Sequence, residues 1–200
     1  MANISKHKST SVTKLLLCGD SGSGKTSALA SLANAGKKLR ILDYDDGLDI
    51  LPEFLKPDVV KNVSYVTLRD SLGQADSFRR GARLLSHWKD GEEDLGPVKE
   101  WGDDTVLVID SLTLMGEAAL RAALVFNNKK PTEQASQPEW GAAARDVQNI
   151  IQYITGDEVK CNVVVTTHMQ YMEGDLGVSK AYPTSVGSKL STKIALISGR

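Results

Sequence analysis

Cysteine is scarce in this sequence, and long apolar runs are absent. Only Cys18 and Cys161 occur among 200 residues, and two scattered thiols exclude a disulfide scaffold and indicate a reducing compartment. No apolar run approaches the roughly 20 residues that a membrane-spanning helix needs. The polar residues 1–10 contain no hydrophobic signal core. We therefore expect a cytoplasmic protein that has no membrane partner.

An excess of charge of either sign is also missing. The formal net charge is −1, with 24% charged and 41% hydrophobic residues, which is ordinary for a globular protein. Because the molecule is not a polycation, any contact with nucleic acid must come from local basic patches. A length of 200 residues fits one α/β domain that is large enough to bury its own core.

The most informative stretch is the octapeptide GDSGSGKT at residues 19–26, which fits the pattern G-x-x-x-x-G-K-[ST] at every fixed position. The apolar residues 14–18 predict a strand before it, and the Ala/Leu-rich residues 27–33 predict a helix after it. In such a loop the backbone N–H groups point inward, while the helix N-terminus and Lys25 supply positive charge. The predicted nucleotide-binding residues are Gly19, Asp20, Ser21, Gly22, Ser23, Gly24, Lys25, Thr26 and Ser27.

Predicted strands and helices alternate along the rest of the chain. Apolar or alternating stretches predict strands at residues 39–43, 62–68, 105–109, 162–167 and 194–197. Helical spacing predicts helices at residues 71–89, 115–126, 139–154 and 188–193, with polar loops at 91–102, 127–138 and 168–186. This alternation predicts an α/β fold with a mostly parallel sheet flanked by helices, in which ligands bind beyond the carboxyl ends of the strands.

Asp110 ends the apolar strand at residues 105–109 and is the expected second nucleotide motif. We predict that it orients Mg²⁺ opposite the hydroxyl of Thr26, so that Thr26 and Asp110 form the metal-binding pair. The next residue is Ser111, at a position where many P-loop ATPases carry the glutamate that activates water. The activating carboxylate must therefore come from elsewhere, or hydrolysis is weak.

Two other strand ends offer such a carboxylate. Asp45 lies in an acidic turn after the strand at 39–43, and Asp70 follows the strand at 62–68. Either could orient the attacking water, although a solvated acidic turn explains Asp45 equally well, so the choice stays open. His168 ends the strand at 162–167, where a histidine near neutral pH can donate a hydrogen bond to phosphate. The catalytic candidates are thus Lys25, Asp45, Asp70 and His168.

The nucleotide base is predicted from a missing motif. GTP specificity usually requires the pattern N-K-x-D, and the nearest match, residues 128–131 (NKKP), lacks the aspartate and lies in a predicted loop. ATP together with Mg²⁺ is therefore the expected cofactor.

Taken together, these residues resemble the RecA-type P-loop ATPase core and, more narrowly, the small phage nucleotide-binding proteins that act as single-strand-annealing ATPases. The motifs that carry the resemblance are residues 19–26, 41–51, 106–113, 138–151, 163–169 and 182–194. The resemblance implies a RecA-like core over residues 13–200, preceded by a flexible tail at 1–12. RecA-like filaments complete each site with a basic residue from a neighbouring subunit, carried farther along the chain, so we expect either that the natural protein extends past Arg200 or that this residue is missing.

The resemblance also implies a function. It implies a slow, Mg²⁺-dependent, DNA-stimulated ATPase of phage-type recombination that binds single-stranded DNA, acting in the cytoplasm of the bacterial host if a phage encodes it. Residues 127–138 and 169–186 would be the DNA-binding loops, with His168 reporting the γ-phosphate to the second. Their cations are Lys129, Lys130 and Lys180, and Trp140, Tyr171 or Tyr182 would stack on bases. A homo-oligomeric ring or filament and a single-strand-binding protein are the implied partners.

A second interpretation keeps the ATPase but removes the DNA. In a protein-directed switch of the KaiC or helicase-loader type, the same loops would order on ATP and grip a protein partner. The near-neutral charge of the chain favours this alternative, whereas the two loops and the resemblance favour DNA binding.

Overall fold

The computed structural model describes residues 12–173 and 179–186. Within them, five strands form a parallel sheet: β1 (Lys14–Cys18), β2 (Lys38–Asp43), β3 (Val63–Thr67), β6 (Thr105–Asp110) and β7 (Asn162–Thr167). Their order in the sheet is β1-β7-β6-β2-β3. The predicted strands at residues 14–18, 39–43, 62–68, 105–109 and 162–167 are thereby confirmed, and their carboxyl ends share one edge of the sheet.

In the part of the chain that the structure describes, five helices pack on the two faces of the sheet. They are α1 (Lys25–Asn34), α2 (Leu51–Phe54), α3 (Ser77–Ser86), α4 (Leu112–Phe126) and α5 (Gln137–Thr155), with 3₁₀ turns at Val60–Asn62 and Val98–Glu100. Successive side chains of a strand point to opposite faces, so the side chains of one strand pack in two hydrophobic cores, one on each face of the sheet. In β6, Val108 packs in the core under α1, whereas Leu107 and Ile109 pack in the core under α4 and α5.

The helix predicted at residues 71–89 is wrong at both ends. Asp70 Oδ1 accepts the backbone N–H of Ser77 at 2.8 Å, so α3 begins there, and the preceding Gly73 has a φ of +80° that no helix contains. At the other end, Trp88 is fully buried and leads into β4 (Trp88–Asp90), which pairs with β5 (Glu93–Gly96). The helical spacing of the apolar residues includes Trp88, and a buried tryptophan is compatible with a helix as well as with a strand.

Both predicted polar loops that were assigned to DNA have more order than expected. Residues 127–138 are held by the carboxylate of Glu139, which is 2% exposed and caps α5 through Ser136. Residues 169–186 contain an antiparallel hairpin of β8 (Met169–Glu173) and β9 (Ser179–Pro183).

Some predictions fall outside the described residues. These are most of the tail at residues 1–12, the short helix at 188–193 and the strand at 194–197. Among the helices that the structure does describe, none is long and apolar enough to cross a membrane.

Candidate phosphate-binding site

The glycines of residues 19–26 have the geometry of a phosphate cradle. The N–H of Gly19 donates to the carbonyl of Thr167 at 3.1 Å, which ties the start of the loop to the end of β7. A Cβ atom at Gly19 would lie 2.3 Å from Ser23 Oγ, so that a larger residue there would force the Ser23 side chain to move. Gly22 and Gly24 have φ values of +75° and +86°, which side-chain-bearing residues rarely adopt. The fold therefore needs glycine where the motif places it.

Lys25 is the first residue of α1 and lies over the loop. Its Nζ donates to the carbonyls of Gly19 at 2.9 Å and Asp20 at 2.8 Å. A full positive charge thus stands inside the loop, beside the N–H groups at the start of a ten-residue helix. This combination suits an anion with several oxygens.

Two buried carboxyl groups lie side by side at the carboxyl edge of the sheet. Asp43 ends β2 and Asp110 ends β6 at the paired position, and both are nearly inaccessible to solvent. Burial raises the pKa of Asp43 to about 6, although the N–H of Asp46 donates to its Oδ1. Burial also raises the pKa of Asp110, against the hydrogen bond from the Thr166 hydroxyl and the positive charge of Lys25. This concentration of carboxylates favours a cation.

The donor set suits magnesium. Within residues 12–173 and 179–186, no three His, Cys, Asp or Glu side chains converge as a ready-made metal cage. Mg²⁺ is usually held by one or two protein oxygens together with phosphates and water, and needs no such cage. Thr26 and Asp110 offer a hydroxyl and a carboxylate, both hard oxygen ligands, and the buried charge of Asp110 is one that a cation would offset.

Asp45 lies in the same neighbourhood, because its backbone N–H donates to the carbonyl of Asp110 at 3.2 Å. The hydroxyl of Ser111 donates to Asp45 Oδ1 at 2.7 Å. His168 Nε2 lies 3.3 Å from Asp45 Oδ2 and donates to it when that nitrogen carries a proton. Asp45 is therefore not a freely solvated turn residue, because two other chain segments, residues 110–111 and His168, contact it.

Asp70 has different surroundings. Its side chain is 5% exposed; Oδ2 accepts from Arg121 Nε at 3.0 Å, and Oδ1 caps α3. Both carboxylate oxygens are thus occupied by the fold, and no described contact joins Asp70 to the loop, to Asp110 or to His168. The structure brings Lys25, Asp45, Asp110 and His168 together and leaves Asp70 outside.

The predicted DNA contacts are scattered. Lys129 Nζ lies 3.0 Å from Glu139 Oε2 in an internal ion pair, so its charge is already compensated. Lys130 is exposed at the α4–α5 connection, and Lys180 is exposed on β9. Tyr171 on β8 is 62% exposed, and its hydroxyl donates to Asp20 Oδ2 of the loop at 3.2 Å.

Sequence reasoning missed the side chains that connect these groups. Ser111 holds Asp45, and Thr113 Oγ1 accepts the N–H of His168 at 3.2 Å while lying 3.3 Å from the carbonyl oxygen of Thr184. The one available signal was the serine after Asp110, where a glutamate was expected. Nothing in the sequence marks Thr113.

A glycine loop between a strand and a helix, with a lysine over the loop and an aspartate at the end of a nearby parallel strand, defines a P-loop ATPase core. The family comparison agrees. The chain belongs to the AAA domain family (AAA_24), which it matches over residues 11–198. No curated protein matches it in sequence.

Two solved structures align with most of this chain. A prototypical ATPase from the type III secretion system of pathogenic bacteria aligns with a TM-score of 0.55 and 13% identity, over 92% of this chain. The chain spans about half of that protein, 49% of its length. The RadB recombinase aligns with a TM-score of 0.47 and 17% identity, over 90% of this chain and 70% of the recombinase. The alignment with the secretion-system ATPase shows that the two proteins share a fold.

Proposed function

We propose that this protein hydrolyses ATP in a Mg²⁺-dependent reaction and couples its nucleotide state to the binding of single-stranded DNA. The observation that carries the proposal is the contact of Asp45 with His168, because His168 directly precedes the β8–β9 hairpin. A change at the reacting phosphate would therefore be transmitted to the first residue of that hairpin.

The nucleotide part assigns a role to each residue of the site. The loop N–H groups and Lys25 bind the phosphates. Thr26 and Asp110 would hold Mg²⁺, which supplies neutralisation of phosphate charge when bound. Asp45 accepts a hydrogen bond from the attacking water and orients it, and His168 contacts the γ-phosphate or that water. Asp70 is left out of this scheme because its side chain is 5% exposed and its contacts are with the N–H of Ser77 and with Arg121, away from Lys25, Asp110 and His168.

The DNA part rests on exposed side chains near the hairpin and the α4–α5 connection. Lys130 and Lys180 would contact phosphates, and the exposed rings of Tyr171 and Trp140 would stack on bases. Lys129 is a poorer candidate than the sequence indicated, because a contact with DNA would have to compete with Glu139. The RecA-type fold also supports assembly of several copies into a ring or filament as part of this proposal.

The alternative, a protein-directed ATPase switch without DNA binding, is favoured by one observation. Of the three predicted DNA-binding lysines, Lys129 is neutralised within the fold, and the whole chain has a net charge of −1. A hairpin and a helical connection with few free cations suit a protein surface as well as a DNA strand.

A salt titration of single-strand binding separates the two functions. Anisotropy of a short labelled oligonucleotide is measured with and without ATP, for the unaltered protein and for Lys130→Ala. We expect tighter binding with ATP, and a salt slope that falls by about 0.7 in the variant because one phosphate contact is lost. The loss should be equal for different base sequences, since phosphate contacts carry no base information.

Lys61→Ala is the matched control. Lys61 is exposed and precedes β3, so it lies at the edge of the sheet opposite the site, and its removal should leave the slope unchanged. If the unaltered protein with ATP shows no binding at low salt, the DNA function is excluded and the protein-directed switch takes its place.

A further inference from the structure

Ser111 occupies a position where two elements meet. It follows β6 and is the N-cap of α4, and it is completely buried. Its hydroxyl donates to Asp45 Oδ1 at 2.7 Å and accepts the N–H of Leu114 at 3.4 Å. A hydroxyl has one proton to give, and here that proton goes to a carboxylate from the neighbouring strand end rather than to the residue's own helix.

Asp45 is otherwise weakly fixed. Its side chain is 21% exposed, and its second oxygen faces His168 at 3.3 Å, a longer contact than the one with Ser111. A short side chain with partial exposure can rotate toward water unless a partner holds it. Hydrogen bonds to a charged acceptor are roughly twice as strong as neutral ones, so the bond from Ser111 is the main restraint on this rotation.

We propose that Ser111 is a positioning residue for hydrolysis: it holds Oδ1 of Asp45 so that Oδ2 stays beside His168, where it can orient the attacking water. This inference rests on the proposed role of Asp45 in orienting water. It also accounts for the serine after Asp110. The carboxylate comes from the end of β2, and the residue after Asp110 supplies the donor that fixes it.

The proposal predicts a specific pattern in steady-state ATP hydrolysis. Ser111→Ala should lower kcat by about 10- to 100-fold, since small misplacements of catalytic groups have effects of this size. KM for ATP should change less than about twofold, because no described contact joins Ser111 to the phosphate loop. Ser111→Thr keeps the hydroxyl and should recover most of the lost kcat.

A double-mutant cycle with Asp45→Asn shows whether Ser111 acts through Asp45. If it does, the double variant should be no slower than Asp45→Asn alone, because the positioned carboxylate is already gone. If the two residues act independently, the fold-reductions in kcat of the two single variants should multiply in the double variant. A general loss of stability should also multiply with the effect of Asp45→Asn, so this measurement separates positioning from a structural defect.

The capping role of Ser111 needs its own control. Ser136→Ala removes the N-cap hydroxyl of α5 and should cost a similar amount of stability, without changing DNA-independent kcat. If Ser111→Ala does not fold, Ser111→Gly removes the same hydroxyl with a smaller capping loss, since glycine is tolerated at N-caps.

The outcomes are distinct. An unchanged kcat in a folded Ser111→Ala or Ser111→Gly variant, while Asp45→Asn is impaired, overturns the positioning role and leaves the proposed ATPase intact. Multiplicative losses in the double variant overturn it as well. An unimpaired Asp45→Asn variant removes the proposed role of Asp45, and the inference about Ser111 is overturned with it.

Discussion

Asp45 and Asp70 are two aspartates that follow neighbouring parallel strands, yet the fold uses them differently. Asp70 is buried, with one oxygen on the N–H of Ser77 and the other on Arg121. Asp45 is partly exposed, and its oxygens face Ser111 and His168. The partners of Asp70 belong to helices that pack on the sheet, whereas the partners of Asp45 lie at the strand ends around the phosphate loop.

This difference shows that a strand-end position decides where a residue lies but not which role it has. Parallel strands bring their carboxyl ends to one edge, so both aspartates start near the expected site. The partners then decide the role. A buried carboxylate whose partners lie on the flanking helices is a structural anchor, whereas one that is partly exposed beside a histidine at the phosphate loop can accept a hydrogen bond from water.

The largest effect is expected from a change that weakens ATP binding itself, because neither aspartate can act on a nucleotide that is not bound. Lys25→Ala removes the side-chain ammonium that lies over the loop, and charge-assisted hydrogen bonds to phosphate contribute about 1.5–3 kcal/mol each. We expect ATP affinity to fall by roughly 100-fold, measured by calorimetry, with the fold retained. Lys61→Ala serves as the control, and an unchanged affinity in Lys25→Ala would refute the phosphate-loop assignment.

Asp70→Asn should show that this residue is a structural anchor. The variant leaves Arg121 without its main partner, and we expect the free energy of unfolding in urea to drop by roughly 2 kcal/mol. The matched control is Asp46→Asn, which breaks the exposed pair of Asp46 with Arg69 and should cost less than about 1 kcal/mol. Equal losses for the two variants would mean that burial of Asp70 does not matter.

A smaller effect is expected at Asp43, the buried neighbour of Asp110. Its pKa of about 6 in the fold lies above the ordinary 3.8, so the folded protein holds more protons between these pH values. Stability must then fall as pH rises from about 4 to 6, and the carboxylate disfavours the fold at neutral pH. Asp43→Asn should therefore stabilise the nucleotide-free protein by on the order of 1 kcal/mol above pH 6 and not at all below pH 4.

Thermal unfolding at pH 4 and pH 8 measures this difference. Asparagine keeps an oxygen for the N–H of Asp46, so that the turn itself is preserved. A variant that is less stable than the unaltered protein at pH 8 would show that the charge of Asp43 is compensated within the fold.

Much of the fold follows from local sequence. The apolar runs at residues 106–109 and 163–165 are buried on both faces of the sheet, and such runs predict central strands. The phosphate loop was equally predictable, since its glycines are required by the backbone itself. The bounds of α3 were not, because Trp88 packs against Trp101 from a later segment, with ring centroids 5.4 Å apart.

The connections within the site were beyond the sequence. Asp45 and Ser111 are 66 positions apart, and Asp45 and His168 are 123 apart, so no spacing rule links them. The neutralised Lys129 illustrates the same limit, because a lysine in a polar loop gives no sign that a buried glutamate ten residues later will bind it. The residue types alone show which groups carry charge. Only the three-dimensional arrangement shows which of these groups stabilise the fold and which belong to the candidate site.

The most direct test is the turnover of Asp45→Asn and Asp70→Asn measured side by side, at a temperature where both variants are folded, together with their ATP affinities. We expect Asp45→Asn to lose at least about 100-fold in kcat, the size of effect typical of a residue that orients or activates water, with ATP affinity nearly unchanged. Asp70→Asn should keep its kcat within about twofold despite its lower stability. A large loss of kcat in Asp70→Asn, with Asp45→Asn unimpaired, would contradict the account.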